Sequence, residues 1–393
     1  MPRLKLNLTY ILLLASLFIF TDTSTVRCAK DDQGAQEAAS DDVPDRILPQ
    51  LEQGQWEPVF EMGESIYPSV AISTATLKMG IWNDDQHIGD PWGLIGITVR
   101  GTENNCPIKV EISGGNFVKP SVFSGVLPNK DTVYCVYPDL KYDYEKLLNV
   151  KQTVPETLSF KVTVGKKADP EMNIRIQVRP VNECISYFVD SSGNINDVSM
   201  LFAAYVNENH PVISQIMKDA LASEMVDSFG GYQGTEDDVA GEIEAVWEAL
   251  KNRGVRYSTI TASADDDNPY IGSQYVRLLG ESVNSSQANC VDGSVLMASI
   301  FRKIGLNAGL VEMPGHMFVT VNLDQEGKNT AFIETTMLGS SSLEEAMDKG
   351  YEQYSENKDK FDSKKEDEQN YNIVDIQTAR VAGIMPIKDS SAS

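Results

Sequence analysis

Three side chains in the second half of the chain have the types and the order that acyl transfer through a thiol requires: Cys290, then His316 26 positions on, then Glu334 a further 18 on. A cysteine attacks an amide carbonyl as its thiolate. An imidazole takes the thiol proton and returns it to the departing amine, and a carboxylate holds that imidazole in its working tautomer. Each residue also has a plainer reading. Cys290 lies on the apolar side of its segment and could be a small buried hydrophobe, His316 could be a turn residue, and Glu334 a partnered charge on an exposed strand face. The order of the three, on consecutive elements, favours the chemical reading.

Those elements follow from local pattern. Between Asn289 and Gly305, residues Leu296, Met297, Ile300, Phe301 and Ile304 recur at helical spacing and Gly305 supplies the stop, so Cys290 falls in the first turn of a helix. Unpaired N–H groups and the positive end of the helix dipole there favour a thiolate over a thiol. Ala308 to Glu312 predicts a strand, Met313-Pro314-Gly315 a turn, and His316 stands at the start of an alternating strand to Val321. Ala331 to Thr336 predicts a further strand carrying Glu334. Two neighbouring antiparallel strands can present His316 and Glu334 side by side, with a helix across them bringing Cys290 within reach. Upstream, His210–Val226 and Thr235–Leu250 read as helices. The second has Val239, Ile243, Val246, Trp247 and Leu250 on one face, a capping box with Asp238 in the acidic position, and a stop at Asn252-Arg253-Gly254.

These residues resemble the transglutaminase-like domains of the papain-like cysteine-peptidase superfamily, most nearly its bacterial exported branch. The resemblance rests on Cys290 with Asp292, on Pro314-Gly315-His316 and on Glu334-Thr335-Thr336. Fainter matches are Phe202-Ala203-Ala204-Tyr205-Val206-Asn207, Gly254-Val255-Arg256-Tyr257 and Gln274-Tyr275-Val276-Arg277. It covers about residues 195 to 387 and departs from the family at Ala288, where a Gly commonly precedes the Asn-Cys pair. It implies a transglutaminase-like α+β domain in which Cys290 attacks a protein or peptide amide, His316 protonates the leaving amine and Glu334 orients the ring. The acyl-enzyme would pass to water or to an amine. The oxyanion would rest on the Cys290 backbone N–H and one side-chain donor, for which Gln274 is the approximate positional match. No cofactor and no metal are implied.

The rest of the chain sets the context. Residues 1–28 read as a signal peptide: Arg3 and Lys5 precede an apolar run from Tyr10 to Phe20 that is short for a membrane span. Cys28 raises lipidation as an alternative, although Thr25-Val26-Arg27 ahead of it sets a large cation where small residues are wanted; an uncleaved anchor is a third reading. Either way the expected location is secreted or held at the cell envelope. Residues 29–66 form an acidic linker whose end, at Trp56, Val59 and Phe60, docks on something; residues 30 to 64 carry ten acidic and two basic side chains. Residues 67–184 show short β runs, among them Leu94–Val99, Ile108–Ile112, Thr132–Val136, Leu158–Val164 and Met172–Val178, and predict an antiparallel β-sandwich of immunoglobulin size. One disulfide among Cys106, Cys135 and Cys184 is expected there, its pairing open. Residues 185–393 complete the α+β chain, with a solvated charged insertion near 355–369.

A net charge of −24 argues against nucleic-acid binding. The five cysteines include no C-x-x-C pair, and three histidines offer little for a metal centre. His87 and His210 read as structural, Asp265-Asp266-Asp267 as a solvated loop and not a calcium site, and Trp82 and Trp92 as core or edge aromatics rather than a glycan platform. Three classes of function stay open: an exported cysteine amidase or acyltransferase, a catalytically silent transglutaminase-like fold used for binding, and a surface protein in which the β region is the working part.

Overall fold

The computed structural model describes residues 50–78, 86–189, 195–258, 270–363 and 371–388. The apolar run at 10–20, Cys28, the acidic stretch up to residue 49, Trp82 and Asp265–Asp267 lie outside the described residues. Among those described, no helix is long and apolar enough to cross a membrane.

The chain is a mixed α+β protein with two principal hydrophobic cores. Two sheets enclose the first. One has the order β1 (Trp56–Phe60), β4 (Ile95–Arg100), β7 (Val133–Tyr137), β3 (His87–Gly89). The other has the order β2 (Ser65–Ile66), β11 (Met172–Val178), β9 (Val154–Val164), β5 (Cys106–Gly114), β6 (Val118–Leu127), β8 (Lys141–Tyr142), with β10 (Lys167–Ala168) paired on β9. Neighbours are antiparallel except β3 with β7 and β2 with β11. The period-two pattern sets which residues point inward: Ile108, Val110, Phe160 and Val162 join Ile97, Val99 and Val136 in the core, while Lys109 and Lys161 between them are exposed. The acidic linker ends earlier than its composition suggests, because Trp56 and Phe60 of β1 and Ile66 of β2 are already buried in this core. Two short helices, α1 (Pro68–Ser73) and α2 (Tyr144–Leu148), interrupt the β texture.

The expected disulfide does not form: Cys106, Cys135 and Cys184 are all free and buried. They point into three separate clusters. Cys106 faces the first core, Cys135 packs with Val59 and Tyr137, and Cys184 belongs to the second core. Sequence proximity to a common β region did not bring any two sulfurs together.

The second core draws Met62, Tyr67 and Val70 from the segment between β1 and β3 and then takes most of the chain from Val181 onward. Strand β12 (Glu183–Val189) lies between β13 (Ile195–Asp197) and β15 (Ile271–Tyr275). Helix α3 (Pro211–Ala222) starts at His210, whose Nδ1 accepts from the Val212 N–H at 3.2 Å. Helix α4 (Glu236–Asn252) has the expected capping box, with Asp238 N donating to Thr235 Oγ1 at 3.2 Å and Thr235 N to Asp238 Oδ2 at 2.7 Å. After the parallel pair β14 (Arg256–Tyr257) and β16 (Gln287–Ala288), with α5 (Leu279–Ser285) between them in sequence, comes α6 (Cys290–Ile304). Gly305 ends it in the left-handed region at φ 98°.

The last sheet has the order β19 (Thr330–Ile333), β18 (His316–Asn322), β17 (Ala308–Met313), β20 (Asn372–Asp375), antiparallel throughout. Leu310, Met317, Val319 and Val321 share the second core with Val295, Leu296 and Ile300 of α6. Val311, Phe318 and Phe332 form a smaller cluster, against which Tyr354 of α7 (Leu343–Glu356) and Phe361 of α8 (Lys358–Asp362) pack. The charged run expected to be a solvated insertion is therefore tied to the fold over residues 355–363, with Phe361 as its anchor; 364–369 lie outside the described residues.

Candidate active site

Helix α6 begins at Cys290 because Asn289 caps it. Asp292 N donates to Asn289 Oδ1 at 2.8 Å and Asn289 N to Asp292 Oδ2 at 3.1 Å, a reciprocal box that satisfies two otherwise orphaned donors. Asp292 is also held from outside the helix: Arg277 donates to it through its backbone N–H at 2.8 Å and its Nη1 at 2.6 Å. Burial pushes the Asp292 carboxyl up, and the Asn289 and Arg277 donors oppose this only in part. The acidic residue two positions after Cys290 thus fixes the entry turn to the segment after β15.

Ala288 needs no glycine conformation. It lies in β16 beside Tyr257, its carbonyl oxygen accepts from Ser258 N at 3.0 Å, and it is not among the residues with positive φ.

His316 and Glu334 meet directly, as the adjacent strands required. His316 Nε2 and Glu334 Oε2 are 2.6 Å apart, with the histidine side chain 21% exposed and the carboxylate 3%. Glu334 stands just past β19 and caps a 3₁₀ turn at Thr335–Met337; its Oε1 accepts from Thr336 N at 2.9 Å and Thr336 Oγ1 at 2.6 Å. Burial alone would raise the Glu334 carboxyl. The hydrogen bond and charge of His316 and the two Thr336 donors outweigh it and hold the group below its ordinary value. The His316 ring also stacks beside Phe318 at 6.0 Å, and the rings continue through Phe332, Tyr354, Phe361 and Tyr371.

The turn carrying Cys290 is bound to both of these neighbourhoods. Its carbonyl oxygen accepts from Ser294 Oγ at 2.7 Å and from Thr335 Oγ1 at 3.3 Å, Thr335 being the residue after Glu334. Ser294 Oγ is 3.4 Å from the carbonyl oxygen of Met317, the residue after His316. Gly293 permits this approach: a Cβ there would meet Thr335 Cβ and Oγ1 at 3.1 Å. Cys290 itself is 2% exposed and disulfide-bonded, so a thiolate at this position requires prior reduction.

Gln274 is not joined to this turn by a hydrogen bond among the described residues. It lies on β15 opposite Cys184, and its Nε2 donates to the Tyr275 carbonyl oxygen at 3.1 Å. Tyr257 is a neighbour that residue types alone did not single out; burial and the charge of Glu334 push its phenol up, and it is 39% exposed. The signal for Thr336 was present in Glu334-Thr335-Thr336, whereas Arg277 and Ser294 gave none as partners, since their contacts span 15 and 23 residues. Neither a family model nor a curated protein sequence matches the chain.

Proposed function

We propose that the chain is an exported cysteine-dependent amide hydrolase or acyltransferase, with an immunoglobulin-like β-sandwich ahead of a transglutaminase-like domain. The observation that carries this reading is the 2.6 Å His316–Glu334 pair next to the turn that begins α6 at Cys290. Because Nε2 of His316 is committed to Glu334, Nδ1 is the atom left to serve the sulfur. In the reduced protein, the Cys290 thiol gives its proton to Nδ1 and the thiolate adds to the carbonyl carbon of a protein or peptide amide. The negative oxygen rests against backbone N–H at the helix start, the C–N bond breaks as Nδ1–H protonates the leaving amine, and a thioester remains. Water or a second amine then attacks the thioester carbonyl while Nδ1 takes its proton, and the C–S bond breaks as the thiolate leaves. Glu334, fixed by Thr336, stabilises the imidazolium throughout.

A second reading, a transglutaminase-like fold used for binding, is favoured by the near-complete burial of Cys290 and its disulfide. Iodoacetamide alkylation of Cys290 after mild reduction, followed across pH with His316→Ala as control, separates the two. A rate that plateaus well below the ordinary thiol pKa of about 8.5 and loses the plateau in the variant supports the enzyme. Modification only on denaturation supports the binding module.

A further inference from the structure

A cavity of about 260 Å³ lies where the two cores meet, and none of Cys290, His316 and Glu334 lines it. Its wall takes Met62, Tyr67 and Val70 from the second core and Ile66, Ile95 and Leu140 from the first. The rim strand of chain after α1 is stitched to the end of α9 (Ile376–Ala382): Lys78 N donates to the Ala382 carbonyl and Met385 N to the Ser73 carbonyl, each at 2.9 Å.

The chemistry of the lining is one-sided. Among the described residues it contains two carboxylates, Asp90 and Asp139, four aromatic rings, Tyr67, Trp92, Tyr142 and Tyr144, and no Lys, Arg or His. The Tyr142 and Tyr144 rings are 6.2 Å apart and inclined at 54°, so they form two walls of a corner instead of a stacked pair. Asp139 is answered by Lys141, whose side chain is mostly exposed. Asp90 has no ion-pair partner among the described residues; one of its oxygens accepts from the Trp92 backbone N–H at 3.1 Å.

We propose that this cavity binds an alkylammonium group, such as the side chain of a lysine residue in a peptide or a methylated amine. Electron-rich ring faces attract a cation, and Asp90 supplies the counter-charge that a neutral ligand would not use. Burial first, and Asp139 after it, push the Asp90 carboxyl up, while the Trp92 N–H and the charge of Lys141 oppose this only in part, a condition that an incoming cation relieves. The small volume suits a cationic head inserted from a larger molecule and excludes a folded peptide.

Calorimetric titration of the full chain with tetramethylammonium chloride and with Nα-acetyl-lysine methylamide tests this, using 2,2-dimethylpropan-1-ol as the uncharged analogue of similar shape and methyl glucoside as a sugar. Saturable binding of at least one ammonium probe is expected, at least about ten-fold tighter than the alcohol and weakened about ten-fold or more by Asp90→Asn. Asp139→Asn, with a correspondingly smaller loss because Lys141 already answers that carboxylate, serves if Asp90→Asn does not fold. The inference is overturned if neither ammonium probe binds, if the alcohol or the glucoside binds as well as they do, or if the carboxylate variants bind unchanged. Cys290→Ala should retain the binding, so this result and the fate of the proposed chemistry are read independently.

Discussion

Glu312 gives a prediction whose size can be worked from the fold. It lies on β17 beside Met317 and Asn372, is 2% exposed, and is pushed up from 4.5 to about 8, first by burial and then by the charge of Asp197. Asn372 and Ser199 lower it by less; Asp197, itself raised by burial, already accepts from Ser199 N at 2.8 Å and Asn372 Nδ2 at 3.2 Å. The native protein therefore holds a proton on Glu312 that the unfolded chain releases near its ordinary value. With the folded group raised, its contribution to stability is fully present below the unfolded pKa and is lost as pH rises through about 8. A displacement of about 3.5 pH units at 1.36 kcal/mol each corresponds to about 5 kcal/mol, an upper figure because Asp197 and Glu312 titrate as a pair. Glu312→Gln keeps the shape and cannot ionise. Urea unfolding of both proteins at about pH 5, 7 and 8.5 should show the wild type falling relative to the variant by several kcal/mol across that range. A wild-type-minus-variant difference that stays constant from acid to alkaline pH refutes the reasoning.

Further outcomes are expected closer to the site. Arg277→Met leaves the Asp292 carboxylate buried without its cation and should cost about 3–5 kcal/mol in chemical denaturation, most of it recovered when Asp292→Asn is added. Thr336→Val removes one of the two donors on Glu334 Oε1 and should cost about 1.5–3 kcal/mol at neutral pH by the same assay. Because Glu334 is held below its ordinary value, its contribution is present above that value and lost as pH falls through the folded one; Glu334→Gln should accordingly flatten the acid side of a thermal-melting profile. Gly293→Val drives a side chain against Thr335 and should both lower the melting temperature and slow alkylation of reduced Cys290, since α6 must move off the turn that follows Glu334.

Much of the scaffold around Cys290 was legible because it is encoded within a few residues. The apolar stripe from Leu296 to Ile304 marks the helix, Gly305 marks its end, and the Gly315 turn at φ 71° puts His316 at the head of β18, whereas the Asn289–Asp292 box that starts the helix came only with the structure. The alternation in β5 and β9 fixed which faces are buried for the same local reason. Glu334 sits one residue beyond its strand, where it caps the next turn; a period-two pattern marks faces and not ends, so the sequence carried the carboxylate but not its cap. What composition misread was tertiary. A run rich in Lys, Asp and Glu signals solvent, yet Phe361, packed against Val311, Phe318 and Phe332, and Lys360, bonded to the Tyr371 hydroxyl at 3.0 Å, tie residues 358–362 to the sheet that carries His316. Three cysteines in one β-rich stretch signal a disulfide, yet Cys106, Cys135 and Cys184 stand on strands of three different sheets and their sulfurs enter three different clusters.

The contacts that give the candidate site its rigidity belong to that second, non-local class. Arg277 reaches Asp292 from the segment after β15, Thr335 reaches the Cys290 carbonyl from the turn after β19, and Ser294 reaches the Met317 carbonyl from within the helix. Thr335 and Ser294 grip backbone carbonyls and Arg277 grips the Asp292 side chain, so none of these three contacts engages the sulfur, the ring or the Glu334 carboxylate. Such an arrangement fixes where the sulfur, the ring and the carboxylate originate while leaving the Nδ1 side of His316 uncommitted to Glu334. The proposed acyl transfer needs such a scaffold, with the helix start that carries the thiol held beside the histidine–glutamate pair.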